Sequence, residues 1–299
     1  MRFYLLLPVP ALCWSPFPSQ QGVLWIHEDC IHRFKGHFSV ETSALGDTVA
    51  HSGGREQLQP CAHEVRRANS TREAALHYYS DWAAYAQSTR PAGYGHMSSD
   101  WVVPAAPKST GPIPGMSSAY LFNGLEDSGG EVGTASYILQ PVLSYGKSGC
   151  IVDPLQFFQW HLTSFHVTKS GRAYCGARLH VEEGELVRGT MHLGEDGKTW
   201  QVEATRLKSN ESSTYSVQLT RKADAAYVTL ETMINYGCDA FPASGSVTFS
   251  RNDLRDTSGG KVSPEWQKKI LHTECGQRVE LGSDGLVTIA WDANTTLLV

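Results

Sequence analysis

The sequence is poor in charge, in long apolar runs and in the short motifs of nucleotide or serine chemistry. Charged residues are only 18% of 299, with Lys+Arg 25 against Asp+Glu 30 and a formal net charge of −5. That balance gives no electrostatic grip on polyanions, so no nucleic-acid partner is implied. No apolar run approaches the roughly 18 residues of a membrane-spanning helix, so no membrane partner is implied either. A phosphate-cradling loop fails at its nearest match, Gly197-Lys198-Thr199, because His192 stands where the first glycine is needed. No Gly-x-Ser-x-Gly elbow occurs, which leaves serine-hydrolase chemistry unsupported. The seven cysteines form no Cys-x-x-Cys pair. The pairs His161 with His166 and His272 with Cys275 lack a second pair at structural-zinc spacing, so neither a metal nor another cofactor is expected.

What the chain does have is Gly 28, Pro 14, Trp 8 and Tyr 12, a mixture suited to short strands joined by tight turns. From about Tyr79 onward, alternating runs are bounded by Gly, Pro, Ser and Asp: 100–103, 119–122, 136–142, 159–167, 178–181, 185–192, 199–207, 213–219, 226–233, 246–250 and 285–291. Such spacing predicts an all-β sandwich or barrel, and the missing strand-to-helix alternation excludes a doubly wound sheet. Turn signals at Glu195-Asp196-Gly197-Lys198 and Gly282-Ser283-Asp284-Gly285 predict hairpins.

The N-terminal quarter reads differently. Arg2 followed by apolar residues 3–13 reads as a secretory signal over residues 1–15. Residues 16–77 read as a prosegment, with six of the twelve histidines (His27, His32, His37, His51, His63 and His77) able to gain charge as pH falls through about 6.5. A polar N-terminal extension is the alternative. Ser70-Thr71-Arg72-Glu73 has the form of a capping box, so a short helix is expected to start there. Removing Cys13 with the signal leaves six cysteines, as an oxidising compartment favours. Three glycosylation sequons, at Asn69, Asn210 and Asn294, also fit a secreted, extracellular protein.

Two strands carry polar side chains among apolar neighbours. Period-two alternation puts Ile138, Gln140 and Val142 on one face, with Tyr137, Leu139 and Pro141 on the other. It likewise puts Tyr227, Thr229 and Glu231 opposite Val228 and Leu230. Taken alone, each is an ordinary polar residue on a wet face.

In order along the chain, Tyr79-Ser80-Asp81-Trp82, Ser99-Asp100-Trp101-Val102-Val103-Pro104, Ser118-Ala119-Tyr120-Leu121, Ile138-Leu139-Gln140 and Phe157-Phe158-Gln159-Trp160 are followed by residues 226–231, Gly245-Ser246-Val247-Thr248-Phe249 and Val287-Thr288-Ile289-Ala290-Trp291. This series resembles the glutamic peptidases, or eqolisins, over residues 79–291. The resemblance implies a secreted zymogen whose residues 78–299 fold as a β-sandwich of two bent antiparallel sheets, a concanavalin A-like jelly roll. It implies an acid endopeptidase that takes polypeptide substrates and is held in check by its own prosegment. It places the catalytic glutamine on Gln140 and the catalytic glutamate on Glu231. Glu231 would take a proton from the attacking water and return it to the departing amine, while the Gln140 amide steadies the water and the oxyanion. With an ordinary Glu pKa near 4.3, activity is expected on the acid side. Trp82, Tyr120, Phe157, Gln159 and Trp160 would line the substrate cleft.

The chain departs from the pattern at Asp81, where the family has Asn, and at Tyr120 and Phe157, where Trp is expected. Ser144 and Gln159 stand where acids are expected, which changes the polarity around the dyad. A lectin-like sandwich, or a peptidase relative without activity, is the alternative function. With Cys30 and Cys61 in the prosegment, the remaining cysteines can pair in three ways; Cys150 with Cys175 would tie down the loop that carries Phe157 to Trp160.

Overall fold

The computed structural model describes residues 82–295 apart from 112–116, 129–134, 149, 152–155, 170, 234 and 236; earlier in the chain it describes the backbone alone of 14–19, 22–27, 39–42, 48–51, 55–58, 66–67 and 81. The signal-like residues 1–13, the expected helix start at residues 70–73, and Cys30 and Cys61 lie outside the described residues. The chain divides into two units, Met1–Ala75 with Val299, and Leu76–Leu298.

Among its described residues the first unit carries six short strands: β1 (Trp14–Ser19), β2 (Gly22–His27), β3 (Ser39–Thr42), β4 (Thr48–His51), β5 (Arg55–Leu58) and β6 (Arg66–Arg67). They form two antiparallel sheets, ordered β1-β2-β6 and β3-β4-β5. Here the sequence reading saw little alternation, because strands of two to six residues are too short to show a period.

The second unit is a β-sandwich of two antiparallel sheets, neither closed on itself. The front sheet runs β12 (Ala173–Cys175), β11 (Trp160–Thr168), β10 (Tyr137–Tyr145), β9 (Ser118–Glu126), β17 (Ala223–Met233), β7 (Asp81–Tyr94) and β20 (Gln267–Ile270), with β13 (Leu179–Val181) also on β11. The back sheet runs β16 (Glu211–Gln218), β15 (Thr199–Arg206), β14 (Leu186–Leu193), β8 (His96–Val102), β18 (Ser246–Arg255), β22 (Val287–Ala290) and β21 (Arg278–Leu281), with β19 (Lys261–Val262) on β18. Every expected strand lies within or against one of these. β7, β12, β19, β20 and β21 were not read from the sequence; β20 has no buried residue to mark it.

Alternation decides the core. Leu139 and Leu143 of β10, Leu121 and Leu125 of β9, and Val228 and Leu230 of β17 point between the sheets, where they meet Val187, Met191 and Val202 of the back sheet. Trp101 packs on Phe249 in this interior, at 5.3 Å between ring centroids. Gly189 on β14 lets the two sheets approach closely: a Cβ there would run into Asn123 Oδ1 and lie 2.8 Å from Pro141 Cβ. Asn123 Nδ2 uses that closeness to donate to the Gly189 carbonyl at 3.1 Å.

The β14–β15 hairpin turns at Asp196, whose carboxylate accepts from the backbone N–H of Lys198 and Thr199. Two disulfides hold connections between strands. Cys150 pairs with Cys175, joining the loop after β10 to the end of β12. Cys238 pairs with Cys275, joining the connections that follow β17 and β20. Among the described residues no helix is long and apolar enough to cross a membrane.

Candidate functional site

The outer face of the front sheet, away from the sandwich core, carries the polar side chains singled out in the sequence. Because paired residues on antiparallel strands share a face, the register lays this face out as four rows. The first row runs His161, Ser144, Tyr120, Glu231 and Trp82. The second runs Thr163, Val142, Phe122, Thr229 and Tyr85. The third runs Phe165, Gln140, Gly124, Tyr227 and Gln87, Gln140 falling opposite Gly124 between the paired residues Leu139–Leu125 and Val142–Phe122. The fourth runs Val167, Ile138, Glu126, Ala225 and Thr89.

The face is thus apolar in its middle and polar along its rows. Tyr120, Phe122, Val142 and Phe165 form one buried cluster, and Tyr85, Ala225 and Tyr227 another. Trp82 joins the two, edge-on to Tyr85, Phe122 and Tyr227 at 5.0, 5.8 and 4.9 Å. Among these apolar groups the hydroxyls of Ser144, Thr163 and Thr229 are buried with no hydrogen-bond partner. The Gln140 side chain, 8% exposed, likewise makes no hydrogen bond among the described residues. Buried polar groups are ordinarily paired, and the Ser144, Thr163 and Thr229 hydroxyls are exceptions on this face.

Gln140 and Glu231 therefore share one face of one sheet, but the register does not set them side by side. They are separated by β9 and by four residues along the strands. Ideal strand spacings put their Cα atoms about 16 Å apart. Glu231 instead lies in the row of Tyr120, whose phenol is pushed up by burial first and by the Glu231 charge second. That phenol donates to the Lys147 carbonyl at 2.8 Å.

The carboxylate next to Gln140 is Glu126, a diagonal neighbour on the adjacent strand at about 7–8 Å between Cα atoms. Tyr227 donates its hydroxyl to Glu126 Oε1 at 2.5 Å. Burial drives the Glu126 pKa up to about 7; the Tyr227 hydrogen bond pulls it down, and the charges of Asp127 and Asp224 push it further up. The Tyr227 phenol is itself raised by burial and by Glu126, so it stays protonated and remains the donor. Asp127 is satisfied differently, by the backbone N–H of Ser136 and by Arg221 at 3.2 Å. Gly124 lies between Gln140 and Tyr227 in the third row, where a Cβ would crowd the Ile138 side chain and the Leu139 carbonyl at 3.3 Å.

No protein-family model matches the sequence, and no curated protein matches it. Solved structures do. Scytalido-glutamic peptidase, with a peptide-based transition-state analogue, superposes with a TM-score of 0.51 at 12% identity, covering 72% of this chain and 99% of its own. SCP-B, a member of the eqolisin family in complex with the tripeptide Ala-Ile-His, superposes with a TM-score of 0.50 at 13% identity and the same coverage. The chain resembles the glutamic peptidases in fold.

The other expected cleft residues divide. Trp82 and Tyr120 belong to the outer face. Trp160 does not: it lies opposite Tyr145, a register position that turns inward, and it packs on the Tyr145 ring in the sandwich interior at 5.2 Å. Phe157 and Gln159 sit in the turn that leads into β11, Phe157 buried and Gln159 exposed. The His161 Nε2–H ties that turn down by donating to the Gln156 carbonyl at 3.1 Å. Glu126 and the pairing role of Tyr227 were missed in the sequence. Asn123 and Gly124 interrupt the apolar run after Phe122, and β9 was expected to end there. Continuing the alternation through Tyr120, Phe122 and Gly124 is the signal that would have reached Glu126.

Proposed function

We propose that this chain is a secreted endopeptidase that hydrolyses polypeptides on the outer face of its front sheet, by an amide and a carboxyl group without a covalent intermediate. The observation that carries the reading is Gln140: a side chain 8% exposed that makes no hydrogen bond among the described residues, on the same face as two glutamates. A neutral amide can accept from a water with its C=O and donate from its N–H to the oxygen of a tetrahedral intermediate. The carboxylate takes the water's proton as the new C–O bond forms, then hands it to the amine nitrogen as the C–N bond breaks. The fold likeness to structures holding a peptide-based transition-state analogue and a tripeptide supports a peptide as the occupant. Two disulfides fit an oxidising compartment, which supports export.

In the same reading the N-terminal unit is a prosegment that is removed on maturation. N-terminal sequencing of the secreted protein after acid exposure tests this; a start that stays near residue 15 rejects it. The peptidase reading is tested by incubating the protein with an unfolded protein substrate from pH 3 to pH 9 and following cleavage by mass spectrometry. Cleavage by the parent and a loss of at least about 100-fold in Gln140→Ala are expected. No cleavage at any pH, or a Gln140→Ala variant that cuts as fast as the parent, rejects it.

A further inference from the structure

We propose that Glu126, not Glu231, is the carboxyl group that works with Gln140, and that Tyr227 is the residue that positions it. The inference rests on the peptidase reading and deepens it. Three observations meet at one place. Gln140 and Glu126 are diagonal neighbours on adjacent strands, a separation that one water can bridge, whereas Glu231 is a further strand away and four residues along. The Tyr227 hydroxyl occupies Glu126 Oε1 and leaves Oε2 without a partner among the described residues. Glu126 and Gln140 are 6% and 8% exposed, buried enough to strengthen their hydrogen bonds without being sealed.

The chemistry balances with water as the only co-reactant. Glu126 Oε2 accepts one proton of a water held by the Gln140 carbonyl oxygen, and the water oxygen bonds to the peptide carbon. The Gln140 N–H donates to the resulting oxyanion. Protonated Glu126 then gives its proton to the amine nitrogen as the C–N bond breaks, leaving a new carboxyl and a new amine terminus.

The charges around Glu126 set where this works. β10 presents the neutral Ile138 and Gln140, β17 presents Asp224 and Tyr227, and Asp127 follows Glu126 directly with its charge met by Arg221. Two neighbouring acids and burial hold the proton on Glu126 to about pH 7. The base form therefore appears as pH rises through about 7, not through the ordinary carboxylate range. A peptidase driven by Glu126 has its rising limb near neutrality; one driven by a carboxylate of ordinary pKa has it near pH 4.

The test is the pH profile of kcat/KM on an unfolded protein substrate, for the full chain and four variants. The parent is expected to gain activity with a midpoint near pH 7, and Glu126→Gln to lose at least about 100-fold at every pH. Tyr227→Phe removes the bond that favours the charged carboxylate, so its midpoint should move to higher pH while the plateau survives. A purely structural role for Tyr227 would not move the midpoint. Glu231→Gln should keep the parent's midpoint. If Glu126→Gln, folded by circular dichroism, retains cleavage while Glu231→Gln and Gln140→Ala lose it, the assignment of Glu126 falls and the peptidase reading stands. The same holds if Tyr227→Phe leaves the midpoint in place. If the parent cuts at no pH, both fall together.

Discussion

At the scale of single residues, this molecule uses two kinds of buried carboxylate. Asp100 on β8 is 1% exposed and ionically paired, with Arg188 bidentate at 2.6 and 2.9 Å and Arg251 at 3.4 Å. Arg188 reaches it from the paired position on the neighbouring β14. Truncating Arg188 to Ala would leave the Asp100 charge buried with only the exposed Arg251 nearby, and a loss of about 3 kcal/mol is expected in urea unfolding. Among the described residues Glu126 has no cation against it, only the Tyr227 phenol and two acids at a distance. Asp100 was visible as an acid in an expected strand, whereas Glu126 lies beyond the expected end of β9. Nothing local distinguishes them, because the partners are 88 residues away in one case and 101 in the other. For Glu231 the alternation assigned the right face, yet a face alone does not say which row a residue occupies. That is set by pairing with β9.

At the scale of elements, β10 and β17 were readable from one apolar face, and the exposed β20 was not. β10 and β17 alternate because one side meets the back sheet and the other meets Trp82 and Phe165. β20 pairs with β7 at the sheet edge with four exposed residues, so burial imposes no pattern on it. The connections depend on covalent help. Cys238 and Cys275 are each 1% exposed and close a loop of 37 residues. Replacing both with Ser should cost about 4 kcal/mol by chain-entropy reasoning, measurable as a lower midpoint of thermal unfolding. The Cys150–Cys175 pair should affect the site more directly, since both cysteines pack against the Tyr120–Phe122–Val142–Phe165 cluster. The Cys150→Ser, Cys175→Ser double variant is expected to lower activity at a temperature where it is still folded.

At the scale of the whole molecule, the buried carboxyl makes stability depend on pH in a definite direction. Glu126 binds its proton more tightly folded than unfolded, with a pKa of about 7 against an ordinary 4.5. Its contribution is therefore complete below about pH 4.5 and declines as pH rises from there to about 7, by roughly 3 kcal/mol. Glu126→Gln should remove that decline, so the variant should gain stability relative to the parent at pH 8 and not at pH 4, read by urea unfolding at both. An equal effect at the two pH values would mean the group is not held protonated. What the sequence by itself determined is the all-β class, the two faces of each long strand and the amide at Gln140, because burial on one side of a pleated strand writes a period of two into the residues. Which carboxyl stands beside that amide, that Trp160 turns inward, and which cysteines join were decided only by the tertiary structure. Strand order and register are pairings between residues far apart in the chain, and no local pattern encodes them.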